Sequence, residues 1–180
     1  MSHSDDEQVL PLAAGEHSPV PGAVKIASQD MAGRSHTTRT KARLAALDIL
    51  FEADLLESDL LDSLTRRMDD PEITVREFTQ QIVAGVRDYQ RDIDARINSA
   101  SARDWPIERM PRIDRNIARI AVWELDHTDT DLKVIISEAL EMAAELSTDD
   151  SEKFLNGLLA SAAADHRNAR PPEEEDQDEY

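Results

Sequence analysis

The sequence predicts an all-α fold, a compact helical bundle of about six to seven helices. Three observations carry that expectation. Apolar residues recur three and four apart over long stretches, the spacing of one helix face. Hydrophobic residues make up 40% of the chain but aromatics only 4%, so Ala, Leu and Ile supply the apolar mass, which suits helices better than sheets. No convincing alternating strand pattern and no internal repeat interrupts those stretches.

The first helix is expected over about 39–57, where Leu44, Leu47, Leu50 and Phe51 share a face. A second, over roughly 59–68, groups Leu60, Leu61 and Leu64 and ends at Asp69, Asp70 and Pro71. The spacing of Ile82, Val86, Tyr89, Ile93 and Ile97 predicts one long third helix over about 73–99. Gly85 inside it costs about 1 kcal/mol against Ala, which implies a close helix crossing. A fourth helix, about 107–126, carries Ile113, Ile117, Ile120 and Ala121. The DHTDTD stretch stops it, and an Asp cap starts a fifth over 132–146. The last, about 151–167, follows a capping turn at Ser147–Ser151 and buries Phe154, Leu155, Leu158, Leu159 and Ala162. Asn156 and Gly157 read as structural, with Gly157 permitting a tight crossing.

Both ends read differently. Residues 1–33 contain Pro11, Pro19, Pro21, Gly15, Gly22 and Gly33 without a sustained apolar period, and are expected to be a disordered extension. Residues 169–180, ending PPEEEDQDEY, read as an acidic disordered tail. The folded domain is expected over 34–168. Of the formal charge of −18, residues 1–31 supply five acids and one base, and residues 171–180 supply six acids and no base, so the ends carry −10. No apolar run approaches the ~20 residues that span a bilayer. The start, MSHSDDEQVL, lacks the basic and apolar pattern of a signal peptide. With no cysteine, disulfides and thiolate chemistry are excluded. A cytoplasmic protein is expected.

Few residues invite a reading as chemistry. Arg34, Arg39, Lys41 and Arg43 place four cations in ten residues without an acid, a patch able to meet phosphates on an otherwise acidic protein. Read from the residues alone, a solvated helix start remains the competing interpretation. Arg103, Arg109, Arg112, Arg115 and Arg119 alternate with Asp104, Glu108 and Asp114, the look of an ion-paired helix surface. Glu124, Glu138 and Glu141 read as helix-surface carboxylates, not as an acid–base pair. Asp126, His127, Asp129 and Asp131 lack the Gly and Glu of a calcium loop, since Ser137 holds the twelfth place. No metal site, cofactor or catalytic residue is expected, and Gly-rich phosphate loops are absent.

Three blocks in order carry a resemblance: RTKARLAALDILF at 39–51, DRNIARIAVWEL at 114–125, and KVIISEALEMAAEL with STDDSEKFLNGLLASAA at 133–163. VAGVRDYQRDID at 83–94 adds a fourth. Together they resemble the NusB family of transcription antitermination factors over roughly 39–166. The resemblance implies an all-helical, non-catalytic protein that binds single-stranded boxA RNA of nascent ribosomal transcripts with the ribosomal protein NusE, within the RNA polymerase antitermination complex. It assigns the RNA contact to Arg39, Lys41 and Arg43, with Arg34 before them, and partner contacts to Asp114, Asp150 and Phe154. Asp131, Leu132, Ser137 and the Leu146–Ser147 pair depart from the family pattern. A homodimer is compatible with the sequence, which leaves oligomeric state open. The alternative reading is an acidic helical adaptor without RNA binding. A fused RNA methyltransferase would need a Gly-rich cofactor domain and a cysteine nucleophile that this sequence does not contain.

Overall fold

The structure, a computed structural model, describes residues 36–101 and 105–169, with side chains to Asp165. All of its helices belong to one unit, Thr38–Tyr180; of the other, Met1–Thr37, only His36 and Thr37 are described. The expected extension over 1–33 lies outside the described residues. So does the expected tail, except that the last helix reaches Ala169.

Seven α-helices follow one another among the described residues, with no strand. They are α1 (Thr38–Leu56), α2 (Leu60–Met68), α3 (Glu77–Asp88), α4 (Gln90–Ala100), α5 (Arg112–His127), α6 (Leu132–Leu146) and α7 (Asp149–Ala169), with a 3-10 turn at Ile107–Arg109 before α5. Local chemistry sets several boundaries. Asp59 caps α2 by accepting the Leu61 N–H at 2.8 Å, and Arg66 and Arg67 sit in the last turn, where cations oppose the helix dipole. Asp131 caps α6 through the Lys133 N–H at 2.8 Å, as expected for the DHTDTD stretch.

The third expected helix is two. Tyr89, at φ −109° and ψ 14°, breaks α3 from α4. Its N–H still reaches the Gly85 carbonyl, and its own carbonyl accepts the Ile93 N–H. A one-residue hinge leaves the apolar spacing nearly intact, so periodicity cannot tell one helix from two. Tyr89 is not on the core face: it is 44% exposed and stacks on His127 at 4.0 Å.

Helix α5 is the axis of the fold. It packs against α1, α3, α4, α6 and α7. A helix surrounded this way must be apolar on most faces, and Ile117, Ala118, Ile120, Ala121 and Val122 are each at most 2% exposed. The close crossing expected at Gly85 is between α3 and α5: a Cβ there would fall 1.9 Å from Trp123 Nε1. Gly157 is the contrary case. A Cβ there would meet nothing within 4 Å, so this glycine makes no tight crossing.

Candidate nucleic-acid interface

The basic start of α1 divides into surface and interior. Arg39 and Lys41 are exposed, and the Arg39 guanidinium lies 4.2 Å from the centre of the Phe78 ring, which α3 presents. A cation held over an aromatic face is oriented without losing its charge. Arg43 was expected beside them, but the structure buries it to 2% exposure. Its Nε and Nη2 donate to the two carboxylate oxygens of Glu124 at 2.7 and 2.8 Å, and Nη1 lies 3.3 Å from Glu138 Oε2. Thr40 Oγ1 donates to Glu138 Oε1 at 3.0 Å. Burial pulls the Arg43 pKa down, but the bonds to Glu124 and the field of both carboxylates outweigh it and leave the pKa above its ordinary value. Arg43 therefore ties α1 to α5 and α6, and its charge is committed there. Arg34 lies outside the described residues.

Glu124 and Glu138 correct a second expectation. Neither belongs to an open helix surface: the side chains are 1% and 17% exposed. A signal was present in the sequence. Glu124 interrupts the run IAVWEL in a helix apolar on nearly every face, and a buried acid requires a cation. Glu141 is exposed, as expected.

At the other end of α5 the partner residues converge, but not all at the surface. Asp114 is 3% exposed. Its Oδ1 accepts from Ser147 Oγ at 2.6 Å and its Oδ2 from Ser151 Oγ at 2.8 Å. It fastens the first turn of α5 to the α6–α7 turn, so the expectation of an exposed contact at Asp114 does not hold. Ser151 also receives the Thr148 N–H, which makes it part of the capping turn the sequence suggested. Asp150 is exposed, and Phe154 is half-buried with one side against the core.

Of the arginines expected to form an ion-paired surface, Arg115 and Arg119 on α5 do so, while Arg103 and Asp104 lie outside the described residues. Arg115 makes two bonds to Asp54, at 2.7 and 2.6 Å, and Arg119 makes two to Asp94, at 2.8 and 3.0 Å. Arg109 lies 5.5 Å from the Trp105 ring centre. Among the described residues no helix is long and apolar enough to cross a membrane.

Comparison with known proteins agrees with this architecture. The NusB family model matches residues 40–164. The chain is 46% identical over 134 residues to a transcription antitermination protein NusB of Cutibacterium acnes, covering 74% of this chain and 51% of that protein. It thus spans about half the length of that relative. It is 44% identical over 140 residues to the protein of the same name from Acidothermus cellulolyticus, covering 74% of this chain and 94% of the relative. Among solved structures, T. maritima NusB is 30% identical with a TM-score of 0.65, over 73% of this chain and 94% of that one. A structure of antitermination factors NusB and NusE in complex with dsRNA shares the fold, at 19% identity and a TM-score of 0.62, over 72% of this chain and 99% of that chain. The match of the family model over most of the helical unit, with relatives above 40% identity, places this chain in the NusB family.

Proposed function

We propose that this protein is a non-catalytic, RNA-binding transcription antitermination factor. In this reading it binds boxA RNA of nascent ribosomal transcripts together with NusE, in the cytoplasm, and joins the antitermination complex on RNA polymerase. The observation that carries the reading is family membership across residues 40–164. The exposed cations at the start of α1 support it, because phosphate contacts depend on local potential and tolerate a net charge of −18 elsewhere. The polar groups inside the bundle fit a binding protein: Arg43, Glu124, Glu138 and Asp114 bond one another or their neighbours. A homodimer would be a resting form of the same molecule.

Arg39 and Lys41, with Arg34, are the residues proposed to meet phosphate, and Arg43 holds their helix in place. On the partner side, Asp150 and Phe154 form the surface, and Asp114 braces it from behind. Replacing Arg39 and Lys41 with Ala should weaken boxA binding and flatten its salt dependence by roughly 0.7 log units per lost phosphate contact on a single strand. An unchanged affinity and salt slope in that folded double variant would overturn the assignment of the RNA contact to these residues, and a parent chain that does not bind boxA would leave the adaptor reading in its place. The folding unit is proposed to be 34–168, so a chain trimmed to those residues should keep its thermal midpoint.

A further inference from the structure

A row of four aromatic rings connects the first turn of α1 to the end of α5. The Arg39 guanidinium lies 4.2 Å from the Phe78 ring centre, and Phe78 is tilted against Trp123 with ring centres 6.4 Å apart. Trp123 lies 6.4 Å from His127 at an angle of 27°, and His127 stacks on Tyr89 at 4.0 Å and 26°. We propose that the Tyr89–His127 end of this row takes a nucleobase of the same single-stranded RNA whose phosphates meet the start of α1. The proposal rests on the RNA-binding reading above and deepens it, adding a base-stacking site to a phosphate site.

Two features of the backbone build the row. A Cβ at Gly85 would overlap the Trp123 indole, so only glycine lets that ring come against α3. The helix break at Tyr89, with φ −109° and ψ 14°, takes its ring off the core face of Ile82, Val86 and Ile93 and onto His127. The row is covered in the middle and open at the far end. Trp123 is 7% exposed and Phe78 half-buried, and the core accounts for both. Tyr89 and His127 are exposed and stack on each other in water. That stack uses one face of the tyrosine ring, and the residue stays 44% exposed. Charge around the pair is nearly balanced. Asp88 pairs with Arg87 at 3.2 Å and Asp126 with Arg96 at 2.9 Å. Arg91 and Asp92 are both exposed, and Asp129 is an exposed acid beyond His127. A phosphate needs a surplus of cations, which this end lacks; a nucleobase is neutral and needs a ring face. Single strands are held in this way, with unstacked bases laid on aromatic side chains beside a cationic track. Here the cations, Arg39 and Lys41, stand at the other end of the same row.

The test measures binding of a labelled boxA RNA oligonucleotide with flanking nucleotides to the full chain across a range of salt. Tyr89→Leu keeps apolar bulk without a ring face and should weaken binding roughly fivefold to a hundredfold, the worth of one base–aromatic stack. Its salt slope should stay that of the parent, because stacking releases no counterions, whereas the Arg39 and Lys41 variant loses slope. Tyr89→Phe should restore the parent affinity. His127→Ala removes the ring that backs Tyr89 and should act in the same direction to a smaller extent. Single abasic substitutions along the RNA then locate the contact: at one position the parent and Tyr89→Leu should bind alike, since the base that stacks is gone. A parent chain that binds no boxA would sink the RNA reading and this site with it. A parent that binds, with Tyr89→Leu binding equally well or no abasic position removing the difference, would overturn the stacking site alone. So would a Tyr89→Leu chain that loses NusE and keeps RNA, since the row would then be a protein contact.

Discussion

The two ends of α1 hold ion pairs of almost the same geometry in different surroundings. Near its start, Arg43 meets Glu124 through two bonds of 2.7 and 2.8 Å, with side chains 2% and 1% exposed. Near its end, Asp54 meets Arg115 through two bonds of 2.7 and 2.6 Å, with side chains 19% and 16% exposed. Distance does not separate them; water does. In the first pair neither charge can be rehydrated if its partner is lost, and Glu138 adds a second carboxylate that depends on the same guanidinium. In the second pair solvent reaches both partners, and Asn116 supplies a further bond to Asp54 at 3.1 Å. Two bidentate pairs of nearly equal geometry thus predict unequal energetic consequences.

Removing the cation at each end measures the difference. Arg43→Met leaves the buried Glu124 carboxylate without its cation and should lower stability by about 3–5 kcal/mol, the usual cost of breaking a buried pair. Arg115→Met should cost clearly less, because Asp54 keeps Asn116 and water. Urea unfolding of both variants reads the two values, and equal losses would show that burial is not the controlling variable. The Arg43 effect should also shrink when Glu124 is replaced by Gln in the same chain, since the loss comes from an uncompensated carboxylate and not from the missing guanidinium.

The same contrast marks what the sequence could tell. Helix faces were legible because apolar spacing reports direction: Leu47, Leu50, Ile117 and Ile120 all point inward as expected. Depth was not. Arg39 and Arg43 are four residues apart and share a face, yet one lies at the rim beside Phe78 and the other a full turn inside, between α5 and α6. Asp114 posed the same problem: an acid in the first turn of a helix reads as a surface residue until the packing of α7 is known. The hinge at Tyr89 escaped because one residue in the bridge region hardly disturbs the phase of Ile93 and Ile97. Gly85 was legible from its cost, and Gly157 shows the limit of that argument, since its surroundings are open.

A smaller effect separates the ends by pH. Burial pushes the Asp54 carboxyl upward, but Arg115 and Asn116 outweigh it and hold the group below its ordinary value. A depressed carboxylate stabilises the fold at any pH above the unfolded value of about 3.9, and that contribution disappears as pH falls through the lower folded value. Asp54→Asn should therefore be less stable than the parent at neutral pH, with the gap closing on acidification below about 4. Denaturant midpoints taken across that range check it. A gap that stays constant to strongly acid pH would show that the aspartate contributes packing or hydrogen bonding and not charge.

The smallest expected change is a gain, and it too belongs to the wet end of α1. Glu57 stands at φ 51°, the one non-glycine residue with positive φ among the described residues. It follows the last residue of α1, and the next N–H, that of Ser58, returns to the Ala53 carbonyl at 3.0 Å. This is the closing bond of a Schellman cap, whose left-handed residue is usually glycine. A residue with a Cβ there carries about 1–2 kcal/mol of steric cost, and glycine relieves it while losing roughly 0.5–1 kcal/mol to the greater freedom of the unfolded chain. Glu57→Gly should therefore stabilise the protein by no more than about 1.5 kcal/mol. Because the cap lies at the end of α1 remote in sequence from Arg43, the gain should be unchanged in an Arg43→Lys background, as it is for separated sites. A loss of stability on Glu57→Gly would mean that the glutamate makes a contribution at the surface large enough to repay its backbone strain, and additivity failing with Arg43→Lys would mean that the two ends of α1 are not independent.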